Sequence, residues 1–282
     1  MASAAAAAPA RSPVSNSMDV EFAQLSDLGK VRQGNEDYIG YAAPETPERA
    51  QSLGWLFAVA DGVGGHEFGE IASHAAIESI LEGFRSAPSS EPHPALLQRL
   101  VRKANINVVD AGRVQTPGGV SMATTVVACA LRYDRATIAH VGDSRCYLIR
   151  RNEAALLTRD HTLVNEQVRL GVLTADEARE SDSRHMLSRS LGVGLFVNVD
   201  VDEHQVLAGD VLVLCSDGLH GSVTASEIAA VAGNAADLNK AAQRLVDLAN
   251  QRDGSDNISL QIIRVRSVER VGMYRGRPYR LP

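Results

Sequence analysis

The sequence predicts an α+β fold in which antiparallel sheets are covered by a few amphipathic helices. Short apolar runs with strand-like composition follow one another along the chain, and few helical patterns separate them. Apolar residues recur at helical spacing only around 77–84, 97–108 and 238–249. A doubly wound parallel sheet needs a helix after nearly every strand, so consecutive strands favour antiparallel pairing.

The predicted strands occupy the chain between two polar ends. They are 20–25, 38–42, 55–60, 123–131, 137–141, 146–150, 197–201, 211–215 and 258–265. Residues 1–18 are rich in alanine and serine without apolar periodicity, so we expect a disordered tail there. Residues 267–282 form a predicted basic C-terminal tail, and 19–266 form the predicted folded domain.

Composition excludes several classes of function. The formal charge of -6 gives no broad positive field for nucleic acid. No apolar stretch approaches the roughly 20 residues that span a bilayer, and the first residues lack a basic leader, so we expect a cytoplasmic protein. The scattered Cys129, Cys146 and Cys215 match neither a disulfide framework nor a zinc spacing, and each is predicted to be a buried small side chain.

Aspartates stand at the ends of several predicted strands. Asp61, Asp143 and Asp217 follow the runs WLFAVA, TIAHV and VLVLCS, whereas Asp37 and Asp256 stand just before YIGYA and ISLQIIRV. In an antiparallel pair the end of one strand lies beside the start of its neighbour. Pairing of 38–42 with 55–60, and of 211–215 with 258–265, would therefore bring four of these acids to one edge.

Carboxylates that gather in this way need a compensating cation, because like charges raise each other's pKa. A site with oxygen ligands and without paired histidine or cysteine favours Mg²⁺ or Mn²⁺ over zinc. Gly62, directly after Asp61, lets a backbone carbonyl approach such an ion closely. For any single Asp-Gly pair the alternative is an ordinary turn after a strand.

Seven segments in fixed order carry a family resemblance. They are SDLGKVRQGNED, ADGVGGHEFGEIAS, ATT, VGDSRCY, LTRDHT, GDVLVLCSDGL and GSDNIS. With them the chain resembles the metal-dependent protein phosphatases of the PP2C (PPM) family, especially the bacterial members, over about residues 19–266. The resemblance implies a β-sandwich of two antiparallel sheets flanked by α-helices, with two Mn²⁺ or Mg²⁺ ions at one end.

The resemblance also assigns roles to individual residues. Asp61 would bridge both metals, the carbonyl of Gly62 would bind the second, Asp217 and Asp256 would bind the first, and Asp37, with Glu36 beside it, would orient metal-bound water or bind directly. Asp143 matches the position that bacterial members use, together with the aspartate at 217, for a third and looser ion. Arg32 matches the arginine that holds the substrate phosphate.

The implied activity is hydrolysis of phosphoserine and phosphothreonine in proteins by a water that bridges the metals, in opposition to a bacterial Ser/Thr kinase. The proton for the leaving group has no single assigned donor. Val63 stands where some eukaryotic relatives have histidine, which leaves His66, His161, His185 or a metal-bound water as candidates.

Two departures from the family pattern leave substrate preference open. Ala123 stands where the family often has glycine, and residues 163–190, at the position of the family's flap, lack a common His-Pro pair. The alternatives to a protein phosphatase are a binding module of this fold that has lost catalysis, and a phosphohydrolase of small molecules. We expect phosphorylated proteins and a cognate kinase as partners, and a monomer, while the choice between Mg²⁺ and Mn²⁺ stays open.

Overall fold

Two antiparallel sheets form the centre of the computed structural model, which describes residues 18–63, 67–115, 122–181, 183, 185–274 and 277–280. The first sheet contains, in spatial order, β1 (Asp19–Asp27), β11 (Ile258–Ser267), β10 (Val211–Cys215), β7 (Arg145–Arg150) and β8 (Glu153–Leu156). The second contains β2 (Asp37–Ala42), β3 (Trp55–Val63), β5 (Val126–Arg132), β6 (Arg135–Val141) and β9 (Asp200–Gln205), with β4 (Ala123–Thr124) paired to β3.

The helices lie mainly on the outer faces of these sheets. They are α1 (Pro47–Ser52), α2 (Glu67–Arg85), α3 (His93–Gln115), α4 (Leu163–Arg169), α5 (Ala175–Glu180), α6 (Asp217–His220), α7 (Ala225–Ala232) and α8 (Leu238–Arg252). Among them α2, α3 and α8 confirm the three helical patterns of the sequence. None of the helices in the described part of the chain is long and apolar enough to cross a membrane.

Successive side chains of β3 point to opposite faces of the second sheet and contact different layers of the fold. Leu56 and Ala58 belong to the cluster of buried side chains that packs α2 and α3 against the second sheet. Trp55 and Phe57 point to the other face, where side chains of both sheets form a common core that includes Phe22. A third cluster packs α7 and α8 onto the first sheet. Every β3 position from 55 to 60 is buried, and this part of the strand is therefore apolar on both faces. The predicted β-sandwich flanked by helices is confirmed.

Two predicted strands differ from the observed ones. The run 123–131 is divided at Thr125, where the backbone N–H of Asp61 donates to the side-chain Oγ1 of Thr125 at 3.0 Å and the Thr125 carbonyl oxygen accepts from Thr124 Oγ1 instead. The run 197–201 was expected as a strand because of its alternating valines, but Val199 packs into the core without a ladder partner and the paired strand β9 begins at Asp200. The prediction of this strand's position was therefore wrong by about three residues.

The ends of the chain were predicted as tails. Residues 1–17 lie outside the described residues, so the N-terminal tail stays a prediction. In the predicted C-terminal tail, β12 (Val271–Tyr274) pairs with β13 (Arg277–Arg280) in a small antiparallel hairpin. The sequence analysis did not predict these strands, and the boundary of the folded domain near residue 266 stays a prediction.

Candidate metal centre

Two pairs of neighbouring strands bring the four aspartates to one end of the sandwich. In the second sheet Asp37 and Asp61 are direct register partners. In the first sheet β10 pairs with β11, so Asp217, which begins α6 just after β10, and Asp256, which stands just before β11, lie at the same end. Both strand pairings predicted from the sequence are confirmed.

Hydrogen bonds between the two sheets hold these ends together. The Ser216 hydroxyl donates to Asp37 Oδ2 at 2.7 Å. The backbone N–H of Glu36 donates to Asn257 Oδ1 at 2.8 Å. Each bond links residues beside Asp217 or Asp256 to the start of β2. The aspartates of the two sheets are therefore fixed relative to one another by the backbone and by buried polar side chains.

Burial and mutual repulsion both raise the pKa values of these carboxylates. Burial, reinforced by Asp217 and Asp256, raises the pKa of Asp37 to about 7, although Ser216 offsets part of this rise by donating to the carboxylate. Burial together with Asp37 and Asp217 raises the pKa of Asp61 well above its usual range. Burial and Asp256 also raise the pKa of Asp217. All three acids would become more acidic if a cation shared the space between them.

Two carboxylate oxygens in this cluster are buried without a hydrogen-bond partner among the described residues. They are Asp37 Oδ1 and Asp217 Oδ1. A buried carboxylate oxygen that accepts no hydrogen bond costs free energy unless a cation contacts it. These two atoms therefore mark the places where the cluster fits a bound metal ion.

Asp61 has its backbone fixed on both sides of the side chain. Its N–H donates to Thr125 Oγ1 at 3.0 Å, and its carbonyl oxygen accepts from Thr125 N at 2.8 Å and from Thr124 Oγ1 at 2.9 Å. Thr125 lies at the break between β4 and β5, and Thr124 lies at the end of β4. The Asp61 carboxylate therefore projects from a backbone that cannot shift easily.

Gly62 lies where no side chain fits. A methyl group built on its Cα would lie 2.2 Å from the carbonyl oxygen of Gly69, at the start of α2, and 2.7 Å from the carbonyl oxygen of Glu36. The Gly62 N–H donates to that same Glu36 oxygen at 3.1 Å. Glycine is required here by close approach of three backbone segments.

Arg32 reaches the cluster from the loop between β1 and β2. Its Nη2 lies 2.9 Å from Asp256 Oδ2, and 42% of the arginine side chain remains exposed. The amide of Asn257 supports the loop by donating to the carbonyl oxygens of Leu28 at 3.0 Å and Gly34 at 3.1 Å. One face of the guanidinium thus stays available for an anion at the edge of the acidic cluster.

Asp143 lies in the turn between β6 and β7 and is buried. Burial, with the negative charges of Asp217 and Asp160 nearby, raises the pKa of Asp143 to about 7. The turn begins at Gly142, whose φ of 103° favours glycine. The imidazole Nε2 of His220 lies 3.0 Å from the Asp143 carbonyl oxygen, which fixes the turn on its far side.

The histidines named as proton donors lie in different surroundings. His66 lies outside the described residues. His161 is completely buried, and burial lowers its pKa to about 4. The His185 side chain is 60% exposed, with Nδ1 4.0 Å from Asp217 Oδ2. It borders a cleft of about 1390 Å³ whose walls also include Asp143, Asp217 and Asp256.

Comparison with known proteins agrees with this architecture. The family model for protein phosphatase 2C matches residues 23–258. The chain belongs to the protein phosphatase 2C family. A serine/threonine phosphatase named stp from Listeria innocua is 31% identical over 263 residues, which are 92% of this PP2C chain and 99% of the relative.

Two solved structures show the same fold. The serine/threonine phosphatase of S. agalactiae is 33% identical with a TM-score of 0.79, covering 88% of this PP2C chain and 100% of that one. The catalytic domain of the serine/threonine protein phosphatase PstP, solved with two manganese ions, is 32% identical with a TM-score of 0.74, covering 88% and 99%. The predicted family, and the prediction of a metal-dependent serine/threonine phosphatase, are confirmed.

Sequence analysis missed the residues that hold the acids of this PP2C chain in place. Ser216, Asn257 and Thr125 each stand next to or near a predicted site residue, but no role was given to them. Their positions inside the motifs SDG, SDN and ATT were the available signal. Polar side chains beside buried carboxylates commonly donate to them or to their backbone.

Proposed function

We propose that this chain removes phosphate from phosphoserine and phosphothreonine in other proteins, using two Mn²⁺ or Mg²⁺ ions. Asp37, Asp61, Asp217, Asp256 and the carbonyl of Gly62 are the proposed ligands. The observation that carries the proposal is the meeting of four aspartates at one end of the sandwich, where two buried carboxylate oxygens have no partner among the described residues. Hard oxygen ligands of this kind suit both ions.

Divalent ions at such a centre supply a water of lowered pKa and positive charge opposite the phosphoryl oxygens. The chain's own residues fix the spacing of the metal ligands and add a positive charge for the phosphate. Asp61 and Asp37 project from paired strands, so the spacing of their carboxylates is set by the β2–β3 ladder. Arg32 would hold the phosphate through its planar fork of N–H donors. Asp143, with Asp217, is the proposed holder of a third ion.

Removal of metal tests this proposal directly. We expect the full chain to release phosphate from a phosphothreonine peptide with Mn²⁺ or Mg²⁺, to lose all of this activity in EDTA, and to recover it when excess Mn²⁺ is restored. Phosphate release should be measured with each ion separately, because the choice between them is open. A chain that binds Mn²⁺ but leaves several phosphopeptides intact would favour the binding module.

Competition separates protein substrates from small molecules. A phosphothreonine peptide should inhibit hydrolysis of a small aryl phosphate at concentrations near its own KM. A small phosphomonoester metabolite should compete poorly. If the metabolite is instead hydrolysed with the larger kcat/KM, the chain is a phosphohydrolase of small molecules and the proposed substrate class is wrong.

Arg32 is expected to contribute mainly to substrate binding. Arg32→Ala should raise the KM for a phosphothreonine peptide by about tenfold to a hundredfold, because a charge-assisted bidentate contact contributes on the order of 1.5–3 kcal/mol. Arg32→Lys should recover only part of this loss, since lysine cannot offer two parallel N–H groups. Steady-state kinetics at saturating Mn²⁺ give the comparison, with Arg113→Ala as a control, because Arg113 is exposed on α3. An unchanged KM in both Arg32 variants would remove Arg32 from the phosphate site.

His185 is the proposed proton donor to the leaving group. The buried His161 cannot reach a substrate, whereas His185 borders the cleft. His185→Gln should lower kcat for a phosphothreonine peptide by about a hundredfold. The same variant should hydrolyse an aryl phosphate with an acidic phenol almost normally, since that leaving group needs no proton. An equal loss on both substrates would contradict the assignment, and His74→Gln on the exposed side of α2 is the control.

The proposed partners are phosphorylated proteins and a cognate Ser/Thr kinase in the cytoplasm, with the phosphatase acting as a monomer. The names of the relatives support a serine/threonine phosphatase, and no described helix could cross a membrane. Sedimentation equilibrium over a range of concentrations tests the monomer. A stable dimer mass would contradict that part of the proposal without affecting the chemistry.

A further inference from the structure

A buried network of hydrogen bonds lies behind the turn that carries Asp143. The backbone N–H of Gly142 donates to His161 Nδ1 at 3.1 Å, and the backbone N–H of His161 donates to the carbonyl oxygen of Gly142 at 2.9 Å. Both polar groups of the Gly142 residue are therefore satisfied by one histidine. The residue that follows is Asp143.

The second nitrogen of this imidazole has a partner as well. Because the Gly142 N–H can only donate, His161 Nδ1 must accept, and the ring proton lies on Nε2. That nitrogen is 3.1 Å from Asp200 Oδ2. Asp200 is fixed in turn by Arg189, whose Nη1 lies 2.7 Å from Asp200 Oδ1. Asp200 thus orients the imidazole, and the imidazole orients the turn.

On the side of the turn away from His161, Thr125 packs directly against Gly142. A methyl group on Gly142 would lie 2.6 Å from Thr125 Cγ2, and the Thr125 and Ser144 hydroxyls are 2.7 Å apart. Thr125 is also the residue that fixes the backbone of Asp61. Thr125, His161 and His220 all contact the turn, and of the two residues that contact Gly142, only His161 can be altered without disturbing Asp61.

A metal ion bound by the histidines themselves does not explain this cluster. Ligand atoms of His140, His161 and Asp200 lie within 4.8 Å of one another. The two imidazole rings, however, are stacked with centroids 4.8 Å apart and planes inclined by only 13°. Lone pairs that lie in nearly parallel planes do not converge on one ion, and Asp200 already contacts the guanidinium of Arg189.

We propose that His161, oriented by Asp200, is a positioning residue that sets the Gly142–Asp143 turn and thereby the affinity of Asp143 for its metal ion. This inference rests on the proposed function in one respect, namely that Asp143 holds a third, weaker ion. His161 acts through the backbone of Gly142 and touches neither the ion nor the substrate. Partners of this kind typically change metal affinity by about 10-fold to 100-fold.

Two substitutions at 161 separate the contacts of the imidazole. In asparagine the amide oxygen is attached to Cγ, as Nδ1 is in histidine, so His161→Asn can still accept from Gly142. In glutamine the amide lies one atom further out, near the place of Nε2, so His161→Gln keeps the contact with Asp200 and loses the contact with Gly142. His140→Asn is the matched control, because His140 is buried in the same stacked pair but bonds to the backbone of Arg159.

Binding of Mn²⁺ to the metal-free full chain is measured by isothermal titration calorimetry, with circular dichroism melting to verify folding. Asp143→Asn should abolish the weakest Mn²⁺ site. His161→Gln should weaken that site about tenfold and leave the tighter sites unchanged, His161→Asn should weaken it less than His161→Gln does, and His140→Asn should stay within about twofold of wild type. The double variant His161→Gln with Asp143→Asn should bind like Asp143→Asn alone.

The proposal is overturned if His161→Gln weakens all sites equally, if it only lowers the melting temperature, or if its effect adds to that of Asp143→Asn at the remaining sites. It is also overturned if Asp143→Asn keeps every site of the wild type. Failure of the proposed function is a different result, in which wild type binds no Mn²⁺ at all or in which Asp61→Asn binds it as wild type does.

Discussion

Asp61→Asn is expected to lower Mn²⁺-dependent hydrolysis of a phosphothreonine peptide by on the order of a thousandfold, the equivalent of about 4 kcal/mol of transition-state stabilisation. The loss follows from geometry as well as from charge. The backbone of residue 61 is held by Thr124 and Thr125, so an asparagine there stays in the same place and offers no negative charge to a metal ion. Steady-state kinetics over a wide range of Mn²⁺ concentration measure the loss, and excess metal should not restore the rate.

The same substitution should have the opposite effect on stability of the metal-free protein. Burial and the neighbouring acids raise the pKa of Asp61 in the folded state, so stability falls as pH rises from the pKa of the unfolded chain to that of the folded state, and the full loss remains at higher pH. Asparagine removes that repulsion. Without metal at pH 8, Asp61→Asn should melt several degrees above wild type, at about 2 to 4 °C per kcal/mol.

Asp247→Asn on the exposed face of α8 is the control for both measurements. It removes one negative charge far from the strand ends, and its Oδ1 can still accept from Gln243. Activity and melting temperature should stay close to wild type. If Asp61→Asn keeps activity or melts lower than wild type without metal, the proposed centre is wrong.

Gly62→Ala is the second change with a large expected effect. A methyl group at this position would overlap the carbonyl groups of Gly69 and Glu36, so the backbone of β3 must turn or α2 must move away. Either response redirects the Gly62 carbonyl that we propose as a metal ligand. We expect kcat/KM to fall by about a hundredfold and stability by about 1–3 kcal/mol, the usual cost of overpacking.

Gly194→Ala is the matched control for this substitution. No atom lies within 4 Å of a methyl group built on Gly194, and its φ is not in the left-handed region. Urea unfolding and peptide kinetics on both variants separate the effect of extra volume from the effect of altered backbone flexibility. Normal activity of Gly62→Ala would show that the Gly62 carbonyl is not needed at the centre.

The strand pairing that brings the acids together could be predicted from the position of each acid in the sequence and from the geometry of antiparallel pairs. Each acid stood at an end of an apolar run, and antiparallel neighbours place such ends together. The strand break at Thr125 could not be predicted, since it depends on the side-chain oxygen of Thr125 accepting from the backbone N–H of Asp61, which is far away in sequence. The contact between Ser216 and Asp37 joins residues 179 positions apart and belongs to the packing of the two sheets.

Short helices were missed although some carried a local signal. Thr174 and Thr224 each begin a helix with a capping box, in which a glutamate three residues later, Glu177 or Glu227, bonds back to the cap. The apolar spacing in these helices is too brief to show a period, so the capping pattern was the only available cue. Strand β9 was misplaced because its apolar pattern was misleading: alternating valines can pack into a core without joining a ladder.

The pairing of β1 with β11 also determines how much of the chain must be synthesised before the first sheet can be completed. Asp19 pairs with Ser267 and Asp27 with Ile258, so the first strand of the described chain can pair with its neighbour only after residues 258–267 have been made. Contacts between such distant residues form slowly. Asp256 is likewise made after the other proposed metal ligands. A nascent chain that has not reached residue 256 therefore has an open strand edge and an incomplete centre, and the proposed dephosphorylation must wait until this segment has been made and paired.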